Sequence, residues 1–126
     1  MVSEVRDSLK YTDTHEWIKI QGKTAIVGIT DHAQSQLTDI VFVELPEIGK
    51  KIKKDDELCV VESVKSVSEI YAPISGKIAN INKHLEETPE TINESPYDEG
   101  WLVEIEIEDE SEIKELLDAN SYKKMV

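Results

Sequence analysis

Hydrophobic residues in this chain fall at every second position over short stretches separated by turn residues. From Trp101 to Glu108 the order is W-L-V-E-I-E-I-E, which sets Trp101, Val103, Ile105 and Ile107 on one face and Glu104, Glu106 and Glu108 on the other. A period of two is that of a strand with one dry and one wet face. Comparable segments predict strands over His15 to Ile20, Thr24 to Ile29, Ile40 to Glu44, Leu58 to Glu62, Val67 to Ala72 and Gly76 to Ile81. Their breaks fall at Gln21-Gly22, Pro46, Gly49, Asp55-Asp56, Pro73 and Gly76, residues that favour turns. Many short strands with frequent turns predict an antiparallel sandwich or flattened barrel.

Helical spacing is confined to the periphery. Asp109 followed by Glu112 resembles a capping box, and Ile113, Leu116 and Leu117 then give the i, i+3, i+4 stripe of a short helix, expected as a C-terminal lid on the sheets. A second helix is predicted from Asp31 to Leu37 with Thr30 as its cap, and one further turn starts at Pro89. The motif P-x-x-G occurs at Pro46 to Gly49 and again, 27 residues on, at Pro73 to Gly76. Read as a repeat, it implies two similar halves joined through Leu58 to Tyr71, with a hairpin tip in the middle of that segment.

Composition narrows the function classes. The 126 residues are 39% hydrophobic, enough for one modest core and too few for two large domains. No apolar run approaches the roughly 20 residues of a membrane span, and Met1 to Lys10 lacks the apolar stretch of a signal peptide, so a soluble intracellular protein is expected. Asp and Glu number 27 against 14 Lys and Arg, a net charge of -13 that repels phosphate backbones and suits basic protein partners. Cys59 is the only cysteine, which excludes an internal disulfide and a cysteine-based metal cluster.

The predicted tip reads Glu62-Ser63-Val64-Lys65-Ser66-Val67-Ser68-Glu69, and Lys65 is the only lysine between Lys54 and Lys77. Around it Val64 and Val67, Ser63 and Ser66, and Glu62 and Glu69 form a nearly symmetric frame. A lysine at a tight turn between two strands projects outward, because both strands leave behind it.

The segment from Glu62 to Gly76 resembles the lipoyl-attachment motif of the H protein of the glycine cleavage system. The resemblance extends in colinear order through Thr14-His15-Glu16-Trp17, Val27 to Gln34, Asp39 to Pro46 and Ile92 to Trp101, and so covers nearly the whole chain. It implies one lipoyl-carrier domain over residues 1–126: a flattened antiparallel β-barrel or sandwich of two quasi-symmetric halves with short peripheral helices and a C-terminal helix. It also implies lipoic acid in amide linkage to Lys65, and a carrier with no turnover of its own. The partners it implies are a pyridoxal-phosphate-dependent glycine decarboxylase that loads the aminomethyl group, a tetrahydrofolate-dependent aminomethyltransferase that removes it, and dihydrolipoamide dehydrogenase, which reoxidises the arm. A lipoate ligase or lipoyl transferase would attach the arm. Nucleic acid and membranes are not expected partners. A monomer is expected, in the cytoplasm, or in the mitochondrial matrix of a eukaryote.

By the same resemblance Glu16 and Thr14 would hydrogen-bond the protonated amine of the loaded arm, and Glu69 would add to that negative pocket. Where Gln36 stands, some relatives carry histidine; Asp55 and Thr38 stand where glycine is frequent. Asp tolerates a left-handed turn and β-branched Thr does so poorly, so the turn before Asp39 is expected to differ locally.

Other readings compete. Lipoyl or biotinyl domains of large multienzyme complexes resemble D-K-A or M-K-M at the modified lysine, against Val64-Lys65-Ser66 here. A donor that relays lipoate to other enzymes needs the same lysine as glycine cleavage. An enzyme with Cys59 as nucleophile would need a partner among His15, His32 and His84, whereas the run Leu58 to Val61 reads as core. His15 and His32 lack tight metal-ligand spacing, and His15 is expected beside Trp17. A purely structural adaptor would leave Lys65 unmodified.

Overall fold

The computed structural model describes residues 3–126. The alternating segments pair as two antiparallel sheets. Strands β1 (Lys10–Tyr11), β2 (Glu16–Gln21), β3 (Thr24–Ile29), β5 (Lys51–Ile52), β8 (Gly76–Ile81) and β9 (Val103–Ile107) form a six-stranded sheet in the order β1-β2-β3-β9-β8-β5. Strands β4 (Ile40–Glu44), β6 (Glu57–Ser63) and β7 (Val67–Tyr71) form a three-stranded sheet in the order β4-β6-β7. Three predicted strands match in both bounds, at Thr24, Ile40 and Gly76. The two-residue strands β1 and β5 are too short to carry a period and are not legible in the pattern.

The apolar faces of both sheets meet in one core. Val27, Ile29, Ile78, Val103 and Ile105 from the larger sheet pack with Ile40, Val43, Val61 and Ile70 from the smaller. Burying each such aliphatic side chain stabilises the fold by ~1.5–3 kcal/mol. Ile107 is half-buried against the same core. Trp101, expected on that face, precedes β9 and packs instead with a second cluster containing Trp17, Tyr97, Tyr11 and Tyr122. The two P-x-x-G motifs lead into β5 and β8, which pair with each other at Ile52 and Gly76. Their glycines do different work: Gly49 turns with φ 93°, while a Cβ on Gly76 would collide with the Glu106 carbonyl oxygen.

Helix α1 spans Asp31–Leu37, and its cap is Thr30, whose hydroxyl accepts from the Ala33 amide. Short helices α2 (His84–Glu87) and α3 (Thr91–Glu94) flank Pro89. The helix expected over Ile113 to Leu117 is replaced by a 3-10 segment, Glu110–Glu115. Asp109 does cap it, accepting from the Ser111 amide, but Glu112 turns away to accept from the amide and hydroxyl of Ser75. Leu117 then exchanges both backbone hydrogen bonds with Tyr11 at 2.8 Å, which requires an extended chain there. The C-terminal α-helix, α4, lies beyond, at Ala119–Lys123, capped by Asp118.

Thr38 takes a positive φ despite its β-branched side chain, with φ 65° and ψ −149°. Its amide donates to the Gln34 carbonyl and its own carbonyl accepts from Asn93 Nδ2, so two hydrogen bonds hold a strained backbone. Asp55 also has positive φ, 74°, which aspartate tolerates.

Candidate functional site

The β6–β7 hairpin turns at Val64-Lys65 without positive φ. Ser63, at the first position of the turn, holds it together. Its hydroxyl accepts the amides of Lys65 (3.1 Å) and Ser66 (3.0 Å), while its own amide donates to the Ser66 carbonyl (2.8 Å). The Val64 amide donates to the Asp39 carbonyl and ties the tip to the start of β4. Lys65 is exposed, and among the described residues it joins no ion pair.

Strand β7 is an edge of the smaller sheet, and two clefts open along it. The smaller, of about 330 Å³, is lined by Glu69, Ser68, Thr14, His15, His32 and Gln36 among others. The larger, of about 480 Å³, is lined by Glu16, Thr12, Thr14, Tyr71, Lys54 and Glu115 among others. Thr14 lines both and stands as their common wall. Glu69 lies four residues from Lys65, a run of ~13 Å along an extended strand. The predicted residues are therefore gathered along one strand edge, with Glu69 in one cleft, Glu16 in the other and Thr14 between them.

Glu16 is 1% exposed. Oε1 of its carboxyl accepts from the hydroxyls of Thr12 (2.6 Å) and Thr14 (2.5 Å). Burial pushes its pKa up from 4.5 to about 7, although both hydroxyls and the Tyr71 backbone pull the other way. Glu69 is exposed, and its Oε2 accepts from the Tyr71 hydroxyl at 3.0 Å. Thr12 and Tyr71 are the partners that sequence reasoning missed. Thr12 stands two residues before Thr14, but outside any strand, so no period marks it.

His15 does not pack beside Trp17 as expected. It has φ 70°, its ring lies 4.7 Å from that of His32, and Nδ1 lies 2.8 Å from the Tyr122 hydroxyl. Trp17 lies over Gly28, where a Cβ would approach the indole to 2.6 Å. Burial, and then the neighbouring His32, lower the His15 pKa and favour its neutral form. Among the described residues no cluster of three or more His, Cys, Asp or Glu side chains is arranged to hold a metal ion. Cys59 is buried in β6 within the core, and burial raises its thiol pKa far above neutrality, so it is no nucleophile. No helix among the described residues is long and apolar enough to cross a membrane.

The family model described as glycine cleavage H-protein matches residues 9–126. A glycine cleavage system H protein of Staphylococcus haemolyticus is 52% identical over 122 residues, covering 97% of each chain. One of Halalkalibacterium halodurans is 49% identical over 125 residues, 99% of this chain and 98% of that one. The crystal structure of a glycine cleavage system H protein from Mycobacterium marinum superposes with a TM-score of 0.85 at 35% identity, over 96% of this chain and 98% of the other.

Proposed function

The chain belongs to the glycine cleavage H-protein family, a non-catalytic carrier component of that system, and from this premise we propose that Lys65 is its lipoyl-attachment site. Residues 1–126 act as one carrier domain in the cytoplasm, presenting the arm in turn to the glycine decarboxylase, the aminomethyltransferase and dihydrolipoamide dehydrogenase. The observation that carries the reading is the exposed Lys65, in no ion pair among the described residues, at a serine-locked tip whose edge strand runs beside two clefts.

The residues present fit a long neutral arm. The Lys65 amine is free to form an amide, β7 offers an open edge beside the tip, and Thr14, Glu16 and Glu69 supply acceptors along it. When bound, lipoate supplies a dithiolane that takes up the aminomethyl group of glycine and gives it to tetrahydrofolate chemistry. The chain's own part is to hold and shelter a cation. Thr12 and Thr14 fix the Glu16 carboxyl in place. An ammonium group arriving within a few ångströms favours the ionised carboxylate, so below pH 7 its docking expels the proton held on Glu16. Glu69 adds a second, solvated carboxylate nearer the tip.

The test is release of labelled carbon dioxide from carboxyl-labelled glycine by a glycine decarboxylase. Lipoylated wild-type chain should support turnover, and Lys65→Arg treated in the same way should not. Equal release with the variant would remove Lys65 from the role.

A further inference from the structure

A carrier that works through a lipoyl group on Lys65 has to be acylated by another enzyme before it can serve, and any docking face for that enzyme rests on the same assignment of Lys65. The outer face of the three-stranded sheet is unexpectedly apolar next to the tip. Of the eight large hydrophobic side chains exposed among the described residues, four are Val41 (53%), Phe42 (48%), Val64 (68%) and Val67 (63%). Register explains their assembly. Phe42, Glu62 and Val67 stand opposite one another in one row across β4, β6 and β7, and a bulge between Ile40 and Phe42 inserts Val41. Val64 joins them because its amide is bonded to Asp39, just before β4.

Apart from Lys65 itself, the charged residues that register sets beside this strip are acidic. The next row on the same face is Glu44, Val60 and Glu69, Glu62 stands inside the strip, and Asp39 borders it. Lys65, the residue to be acylated, is the only basic residue between Lys54 and Lys77. An exposed apolar patch rimmed by acids marks a contact with a protein surface that is apolar at its centre and basic at its border.

We propose that the strip of Val41, Phe42, Val64 and Val67 is the docking face for the enzyme that acylates Lys65, through an apolar groove bordered by Lys and Arg. Reach decides between this enzyme and those that work at the arm's end. Acyl transfer requires the carbonyl carbon of an activated lipoyl group within ~3–3.5 Å of Nζ, so the enzyme has to close over a bare lysine side chain and hence over its neighbours Val64 and Val67. Enzymes that act at the end of the finished arm can stand further off. In the step itself the neutral Nζ attacks the carbonyl carbon of a lipoyl-nucleotide mixed anhydride. The C–N bond forms as the C–O bond breaks, the nucleotide monophosphate leaves with the electron pair, and the amine proton passes to a base or to water.

The experiment measures acylation by a lipoate ligase supplied with lipoyl-adenylate, using the full chain and its variants Phe42→Gln, Val67→Thr and the double variant. Val67→Thr keeps the β-branched shape, and matched unfolding midpoints establish that each variant is folded. The double variant should lose about tenfold in kcat/KM, the effect of withdrawing two half-exposed apolar contacts, with kcat at saturating carrier unchanged. Phe42→Glu should also lose affinity; a gain would mean that charge alone drives docking and would overturn the proposal. Unchanged kcat/KM in the double variant, or a loss confined to kcat, would overturn it too. If the wild-type chain is not acylated at Lys65 at all, the functional reading itself falls, and the docking face with it.

Discussion

The Thr14 hydroxyl lies 2.5 Å from Oε1 of Glu16, on the wall shared by the two clefts. That oxygen also receives Thr12, so a carboxyl that burial would keep protonated is held half-ionised at neutral pH. Native Glu16 keeps its proton up to about 7, whereas the unfolded chain releases it near 4.5. Between those values the native state binds more protons, so this group's contribution to stability is full below pH 4.5 and is lost as pH rises through about 7. The shift corresponds to about 3 kcal/mol. Glu16→Gln keeps both threonine contacts and removes the titration. Urea unfolding from pH 4 to 8 should show a flatter profile for the variant than for the wild type, with the variant more stable at pH 8. Parallel profiles would mean that Glu16 titrates normally.

The same carboxylate predicts a kinetic effect on the loaded carrier. Glu16→Ala should raise the spontaneous release of ammonia and formaldehyde from the aminomethyl-loaded form about tenfold, the equivalent of ~1.4 kcal/mol of lost ion-pair stabilisation, without altering lipoylation of Lys65. Release measured without the transferase decides; equal rates would leave Glu16 as a structural acid.

Thr38→Gly should stabilise the chain. Both hydrogen bonds that fix this residue are made by its backbone and survive the substitution. Relief of a backbone geometry reserved for glycine, less the entropy glycine loses on folding, leaves a gain of about 1 kcal/mol. A thermal melt should rise by about 3 °C. A fall would mean that the threonine side chain contributes more than the strain costs.

Cys59 should be silent in the native protein. Its thiol is buried at 4% exposure in β6 and held protonated, so a thiol reagent should label it only as fast as the chain unfolds. Rapid labelling in native buffer would reopen the reading of Cys59 as a nucleophile.

The β core is legible because its strands are half-buried and therefore carry a period of two: the predicted bounds Thr24–Ile29, Ile40–Glu44 and Gly76–Ile81 match the structure. Thr30 is legible as a helix cap because capping is local chemistry. The C-terminal region misleads because its decisive contacts are not local. Glu112 serves Ser75, and Leu117 pairs with Tyr11, and neither partner lies near in sequence. The meeting of His15 and His32 is hidden in the same way, since the turn before β2 and helix α1 are brought together only by the fold. The candidate site is legible mainly through its family resemblance. Thr14, Glu16 and Glu69 do lie beside one strand edge, but the division into two clefts and the roles of Thr12 and Tyr71 depend on how β7 passes the start of β2.

The central claim is that Lys65 alone carries the arm, and intact mass with peptide mapping after co-expression with a lipoate ligase and lipoate tests it most directly. The wild-type chain should gain the mass of one lipoyl group, on the peptide containing Lys65. Lys65→Arg keeps the charge but lacks the acylatable amine, and should gain nothing. A lipoylated Arg variant, or a lipoyl group mapped to any other lysine of the wild type, would contradict the account.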